Sequence, residues 1–399
     1  MTQAHVHNNQ RVAVITAATL AQAVGAWGMF VYTAGATAIA ADLEVSATYI
    51  GYQIGIAYFA ATLCTLYSSS ITRRIGCIQS LAAAMALVSI GASATTVWQL
   101  FGMFLGSVIM GIGFGLIPAS ASQVLISVTD KTNRALIFSI KQSGIPIGGL
   151  LAALTTPYFA EAWDWRGAGF AVSLSCLAIF LLLFLNRRRW IIEDTSKGPT
   201  SLNPFLPLFA LHRSRRLNVL ILMAVCYVGI QIVWLAFMSP FYVEELKISL
   251  VEAGFFLAIV QVTGIFGRIF WGWVSDRMQD NFTPMLMLGW LMMICCASAY
   301  FLGGDTPFVL FTLLSFAIGF SAVSWNGVFH AALIEVSDPG ETVSVIAGMA
   351  FYVYIAMFVW PALFALLIEW SGSYVMPITS LVLFSMGGIY FARQAKVKR

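Results

Sequence analysis

Leu125-Ile126-Ser127-Val128-Thr129-Asp130 recurs half a chain later as Leu333-Ile334-Glu335-Val336-Ser337-Asp338. Upstream of each copy runs a glycine-bearing apolar stretch, Gly111-Ile112-Gly113-Phe114-Gly115 and Ala317-Ile318-Gly319-Phe320-Ser321. Equivalent segments at this spacing predict a duplicated membrane bundle. Such bundles hold a small substrate where their halves meet and expose it to one side at a time. Transport is therefore the first functional expectation.

Composition points the same way. Of 399 residues, 60% are hydrophobic and 10% charged, far too little charge for a soluble domain of this size. A bilayer-crossing helix needs about 20 apolar residues. Twelve stretches qualify: 11–40, 47–70, 76–96, 98–126, 134–160, 165–186, 217–241, 249–276, 282–303, 306–335, 341–369 and 373–393. The expected fold is an all-α membrane protein of twelve transmembrane helices in two pseudo-symmetric six-helix bundles, 1–186 and 217–399. Between them, 187–216 reads as a polar linker, with Arg187-Arg188-Arg189, Glu193-Asp194, Gly198-Pro199, Pro204 and Pro207. Arg11, the apolar run after it and Ala38-Ile39-Ala40 loosely resemble a cleaved signal, but the run is too long, and retention is expected.

The net charge of +4 is unevenly placed. Arg73, Arg74, Lys131, Arg134, the arginines of the linker and Arg277 fall at alternate loops, with Arg11 and Arg393 near the termini. The opposite loops are acidic, with Asp42, Glu44, Glu161, Asp164, Glu244, Glu245, Glu252, Asp305 and Glu369. The positive-inside rule then sets both termini and the linker in the cytoplasm, in an inner-membrane protein. Topology explains the basic runs, so nucleic acid is not an expected partner. The six cysteines lie in or beside apolar segments, without a C-x-x-C pair or a Cys/His cluster. They read as small hydrophobes, with no metal site and no cofactor expected.

The second half carries Gly272-Trp273-Val274-Ser275-Asp276-Arg277, with Gln279 two positions on. This resembles the loop motif G-x-x-x-D-[RK]-x-G of the major facilitator superfamily, which follows the second helix of each half. The first-half copy, Ser69-Ser70-Ile71-Thr72-Arg73-Arg74-Ile75-Gly76, has Arg73 where the motif has Asp. The resemblance implies that Asp276 caps a helix N-terminus and latches one conformation. The expected partners are the start of the 341–369 helix for Asp276 and Glu335 for Arg277. Ser143-Gly144-Ile145-Pro146-Ile147-Gly148-Gly149 is similar to the family's Gly/Pro-rich fifth helix. Gly144 and Gly148 also fit a small-residue packing face beside a Pro146 bend.

Polar groups inside spans are costly and usually face a cavity. Arg268 lies eight residues before Asp276, about 12 Å deep, and Lys141 lies at similar depth after Arg134. A guanidinium grips a carboxylate with two bonds, and an ammonium adds a point charge. Gln261, Gly264, Arg268, Gly272 and Ser275 share one helix face. Gly267-Arg268-x-x-x-Gly272 is similar to the eighth helix of monocarboxylate and oxalate/formate carriers, which implies a carboxylate-binding Arg268. The structural alternative is that Arg268 or Lys141 snorkels, or that Arg268 binds a backbone carbonyl. Further cavity candidates are Trp27, Gln231, Trp234, Asn326, His330 and Tyr352, with Gln22, Tyr32, Gln53, Gln123 and Trp325 behind them. His330 is the group that titrates near neutrality, and a hydrogen-bonded structural histidine is its alternative. No carboxylate lies deep in a span, which argues against efflux of organic cations.

The reading is a monomeric carrier of a small organic anion, a mono- or dicarboxylate, working by alternating access. A proton or an exchanged anion is the expected partner ion. Two rivals are an efflux pump for amphiphilic compounds and a non-transporting sensor or assembly protein of the same fold. An enzyme is not expected, since H-E-x-x-H, G-x-S-x-G and paired acids within a span are all lacking. Cysteines placed at Thr200 and Thr306 should react with impermeant maleimide from opposite sides, Thr200 from the cytoplasm. Labelling of both from outside would refute the twelve-span topology.

Overall fold

The computed structural model describes residues 8–45, 47–97, 99–188, 190, 203–338 and 340–397. Arg189, Glu193, Asp194, Lys197, Gly198 and Pro199 of the expected linker lie outside the described residues. Among the described residues every regular element is helical, and twelve segments are long and apolar enough to cross a membrane.

The elements run α1 (Asn8–Ala34), α2 (Ala36–Asp42), α3 (Ala47–Ile75), α4 (Cys77–Val97), α5 (Gln99–Val128), α6 (Arg134–Gln142), α7 (Gly144–Ala162) and α8 (Arg166–Asn186). A short α9 (Leu206–His212) precedes α10 (Arg215–Pro240), which a π turn extends through Phe241–Glu245. Then follow α11 (Leu250–Met278), α12 (Phe282–Ser298), α13 (Phe308–Ser321), α14 (Asn326–Val336), α15 (Thr342–Ser371) and α16 (Val375–Lys396). Large apolar side chains such as Phe101, Leu185, Phe266 and Leu383 are exposed on the outside. Lipid tails are their solvent, so these faces need no protein cover.

Two spans are not single helices. The fifth breaks at Ser143 between α6 and α7, because Pro146 has no N–H for the Gln142 carbonyl. The tenth breaks over 322–325 between α13 and α14, without proline. There Ser324 Oγ bonds the Gly319 carbonyl at 2.7 Å, and such side-chain bonds compete with the helix ladder.

The chain forms two compact units. The first comprises Met1–Asp130, Ile140–Leu211 and Asp338–Tyr354. The second comprises Lys131–Ser139, His212–Ser337 and Ile355–Arg399. Each unit therefore includes a short segment from the other sequence half, and α6 and α15 are both divided between units.

Inside the first unit, the glycine run of α5 is a packing device. A Cβ on Gly111 would lie 2.1 Å from the Ala57 carbonyl oxygen of α3. On Gly113 it would lie 2.7 Å from Ala84 O of α4, and on Gly115 2.5 Å from Ala61 O of α3. Three alternating glycines thus let α5 pack on two backbones at once. At one end of this unit Asp42 accepts from Trp165 Nε1 (3.1 Å) and pairs with Arg166 (2.9 Å). The indole N–H first, then the guanidinium, hold its carboxyl below the usual carboxylate range.

In the second unit α11 begins in a capping box: Ser249 Oγ accepts from Glu252 N (3.2 Å), and Glu252 Oε2 accepts from Ser249 N (3.3 Å). Its Glu252 is one of the acids counted toward topology. The next turn-forming acid, Asp280, starts α12 by accepting from Phe282 N at 2.8 Å, and it pairs with Lys396 at 3.1 Å.

Gly111→Ala should destabilise the first unit by about 1–3 kcal/mol, because the obstacle is backbone and cannot rotate away. A thermal melt in detergent measures it. An unchanged melting temperature would mean that α3 and α5 separate freely.

Candidate functional site

The break in the tenth span leaves carbonyls that a continuous helix would have satisfied. Neighbouring side chains take them. Arg268 of α11 donates from Nε to the Val323 carbonyl at 2.8 Å. Trp271, one turn on, donates from Nε1 to Phe320 O at 2.8 Å. Asn326 Nδ2 reaches Val323 O at 3.5 Å and the Gln231 Oε1 of α10 at 3.2 Å, and Trp325 Nε1 donates to that same oxygen at 3.0 Å. Glycine brings α11 close enough for this. A Cβ on Gly267 would lie 2.3 Å from Ser324 Oγ, and one on Gly264 2.7 Å from Val323 Cγ1.

Arg268 is 1% exposed, so it does not snorkel to a surface. The arrangement around it gathers Gln231, Asn326 and Arg268 of the sequence candidates. Gln261 stands on α11 and is part-buried. Trp234 is buried and its N–H points at Cys296 Sγ (3.5 Å), which makes it part of the wall. His330 lies one turn beyond Asn326, with Nδ1 2.7 Å from the Asn326 carbonyl. Its ring stacks on Phe138, centroids 6.1 Å apart. Lys141 is also 1% exposed, but it belongs to the first unit while Arg268 belongs to the second. Trp27 and Tyr352 belong to the first unit as well.

Asp276 of the loop motif has a different partner from the one read in the sequence. Among the described residues its hydrogen bonds go to α6 and not to the 341–369 helix. Its two carboxylate oxygens accept from Ala135 N (3.0 Å) and Leu136 N (2.8 Å), in the first turn of α6. A carboxylate at a helix start satisfies orphan N–H groups and complements the positive end of the helix dipole. Beside it Ser139 is wedged between two glycines. A Cβ would lie 2.5 Å from Ser139 Oγ on Gly272 and 1.9 Å on Gly327. Asp276, the two glycines and His330 together build segment 131–139 into the second unit. Ser139, Gly327 and the Val323 carbonyl were missing from the sequence candidates. Glu335 accepts from Asn281 Nδ2 at 2.8 Å, and no ion pair joins it to the exposed Arg277 among the described residues.

The first-half motif occupies the corresponding place with opposite charge. Arg73 donates from one terminal nitrogen to Gly340 O (2.9 Å) and Ser344 Oγ (3.0 Å), at the start of α15. A cation there opposes the helix dipole. Arg74 beside it is exposed. The segment is held further by apolar contact of Ala119 with Val343 and Ala347, and by Tyr354 against Tyr58 and Phe114. Both motifs end in left-handed backbone, Gly76 at φ 91° and Gln279 at φ 51°. This explains the glycine in the family pattern, and Gln279 carries the strain. In the fifth span Gly144 and Gly148 lie against the α1 backbone, their Cβ positions 2.9 Å from Ala23 N and 2.3 Å from Ala23 O. Pro146 between them marks the break.

A cavity of about 500 Å³ lies elsewhere in the second unit, lined by Ser214, Arg215, Arg216, Val219, Gln394 and Val397. It holds none of the candidates.

Residues 18–361 match the family model of the Major Facilitator Superfamily. The sialic acid transporter NanX of Escherichia coli (strain K12) is 26% identical over 42% of this chain and 41% of its own, so the chain spans less than half of that relative. The hexuronate transporter of Bacillus subtilis (strain 168) is 22% identical over 88% of this chain and 87% of its own. Among solved structures, the proton:xylose symporter XylE bound to 6-bromo-6-deoxy-D-glucose aligns with TM-score 0.78 at 16% identity, covering 97% of this chain and 96% of that one. The chain belongs to the major facilitator superfamily, and it is a transporter rather than an enzyme.

Asp276→Ala should cost about 0.5–2 kcal/mol through the lost cap. It should raise amide exchange at Ala135 and Leu136. Arg73→Asp should do the reverse at the first turn of α15, supplying the missing acceptor. Exchange rates unchanged in both variants would remove the latch assignment.

Proposed function

We propose that this member of the superfamily carries a small organic anion, a mono- or dicarboxylate, with Arg268 as the carboxylate-binding group. The observation that carries the reading is the buried Arg268 at a broken span, anchored through Nε on the Val323 carbonyl. A cation within a span is costly and marks a substrate or ion path by default. A guanidinium grips a carboxylate in a planar two-bond geometry that an ammonium lacks. The names of the two relatives, a sialic acid and a hexuronate transporter, support an acidic cargo.

Lys141 is the second cation of the proposal, contributing charge without planar geometry. Gln261, Gln231 and Asn326 are the proposal's polar lining in the second unit, with Trp234 beside them, and Tyr352 is its candidate in the first unit. Asp276, Gly272 and their counterparts at Arg73 hold the helix starts that must be released when access alternates. His330 is the proton-carrying candidate if transport is proton-coupled. Its Nδ1 lies 2.7 Å from the Asn326 carbonyl. The alternating basic loops support a location in the cytoplasmic membrane with both termini inside.

Arg268→Lys should already impair uptake in proteoliposomes, since it keeps the charge and loses the fork. Arg268→Gln should lose on the order of 2–5 kcal/mol of binding. Lys141→Gln should weaken binding less, and the double variant should be non-additive. Wild-type uptake of an acid by Arg268→Gln, at equal insertion, would leave Arg268 as a support for the helix break alone.

A further inference from the structure

The cavity of about 500 Å³ in the second unit stands where two spans end. Ser214, Arg215, Arg216 and Val219 line it from the start of α10, and Gln394 and Val397 from the end of α16. Its volume is that of a small-molecule site, which is about 300–1,000 Å³. Two arginines line it and no acid does. Arg216 is fixed: Nε and one terminal nitrogen donate to the Ala395 carbonyl at 3.1 and 2.9 Å, and its guanidinium lies 5.1 Å from the centre of the Phe282 ring. Arg215 is exposed and enters no ion pair among the described residues. Asp280, two residues before Phe282, is engaged by Lys396 (3.1 Å) and by the Phe282 amide (2.8 Å). Both arginines also stand in the first turn of α10, against the positive end of its dipole. Two cations so placed repel each other and the helix end, and an anion in the cavity relieves both.

The surroundings select the kind of anion. On α10, Arg215, Val219 and Leu222 share one face, and Leu222 is exposed within a span whose solvent is lipid. On α16, Leu383, Met386, Tyr390 and Gln394 share one face, which Val397 continues just past the helix end. Leu383, Met386, Tyr390 and Val397 are all exposed. Gln394 Nε2 donates to Tyr390 Oη at 2.6 Å, which joins the polar end of this stripe to its apolar length. Two lipid-facing stripes thus run into one cationic cavity at the membrane edge. A soluble anion uses the cavity alone, while a phospholipid uses the cavity for its phosphate and the stripes for its chains.

We infer that this cavity binds the phosphodiester headgroup of an anionic phospholipid such as phosphatidylglycerol, which fastens the start of α10 to the end of α16. A guanidinium meets two phosphate oxygens with two parallel bonds. Ser214 and Gln394 offer donors and acceptors to the hydroxyls of a glycerol headgroup. Phosphatidylcholine carries the same phosphate but brings a third cation to two arginines. The inference goes beyond the cargo reading and is independent of it. Under the orientation proposed above, the lipid belongs to the cytoplasmic leaflet.

The test uses the full chain in detergent, with dioleoyl phosphatidylglycerol, dioleoyl phosphatidylcholine or glycerol phosphate added. Melting temperature is measured, and bound lipid is counted by native mass spectrometry. Phosphatidylglycerol should raise the melting temperature and bind at least about fivefold more tightly than phosphatidylcholine. Arg215→Gln should weaken phosphatidylglycerol by about fivefold, the contribution of one cation at an anionic surface. The lipid-free Arg215→Gln protein should melt no lower than wild type, because the change removes a cation from a helix start. Arg215→Lys should keep part of the affinity, since it retains the charge without the fork. Arg188→Gln, a change at an exposed cation of the first unit, should bind lipid as wild type does. Equal binding of the two lipids by wild type would overturn the site. Stabilisation by glycerol phosphate equal to that by phosphatidylglycerol would show a soluble-anion site and overturn the lipid assignment. An equal loss in Arg188→Gln and Arg215→Gln would show diffuse attraction to basic loops and overturn the site as well.

Discussion

A helix that breaks inside a bilayer exposes backbone carbonyls where no water can reach them, and each must find a donor in the protein. The tenth span breaks over 322–325, and the surroundings of that break set the architecture of the second unit. Ser324 takes Gly319 O, Trp271 takes Phe320 O, and Arg268 takes Val323 O. These donors reach only because Gly264 and Gly267 let α11 approach closely. The buried charge of Arg268 is therefore held in place by the same carbonyl that needs it. Under the proposed function, binding chemistry and backbone satisfaction depend on one side chain, so loss of the guanidinium would disturb both.

The two loop motifs show how one position can serve opposite electrostatics. Asp276 accepts from two amides of α6, as a helix start favours. Arg73, at the matching place, donates to a carbonyl and a hydroxyl at the start of α15. The first contact is reinforced by the dipole and the second works against it. The contact at α15 relies instead on apolar packing around Ala119, Val343 and Ala347. Release of the two helix starts should thus have different costs.

The reading from sequence succeeded where the signal was local. Span lengths follow from uninterrupted apolar runs, and Arg268 stood out because a charge there has no local excuse. The break at Ser143 is announced by Gly144 and Pro146. The break at 322–325 is not, because Ala322-Val323-Ser324 has no proline or glycine and opens through bonds from residues distant in sequence. Asp276 was recognisable as a cap, but a motif does not say which helix it caps. The Ser139 wedge was illegible for a similar reason, since Gly327 looks like any membrane glycine until its neighbour is known.

The polar groups of the two units are used differently. In the second unit Gln231 is committed to Trp325 and Asn326, and Arg268 and Trp271 to the backbone. These commitments fix the polar side chains around the break in the tenth span. In the first unit Gln53 is buried without commitment, at a cost to stability that the fold tolerates. The second unit thus spends its buried polar groups on its own broken backbone, while the first carries an amide whose bonds within the protein are unmade.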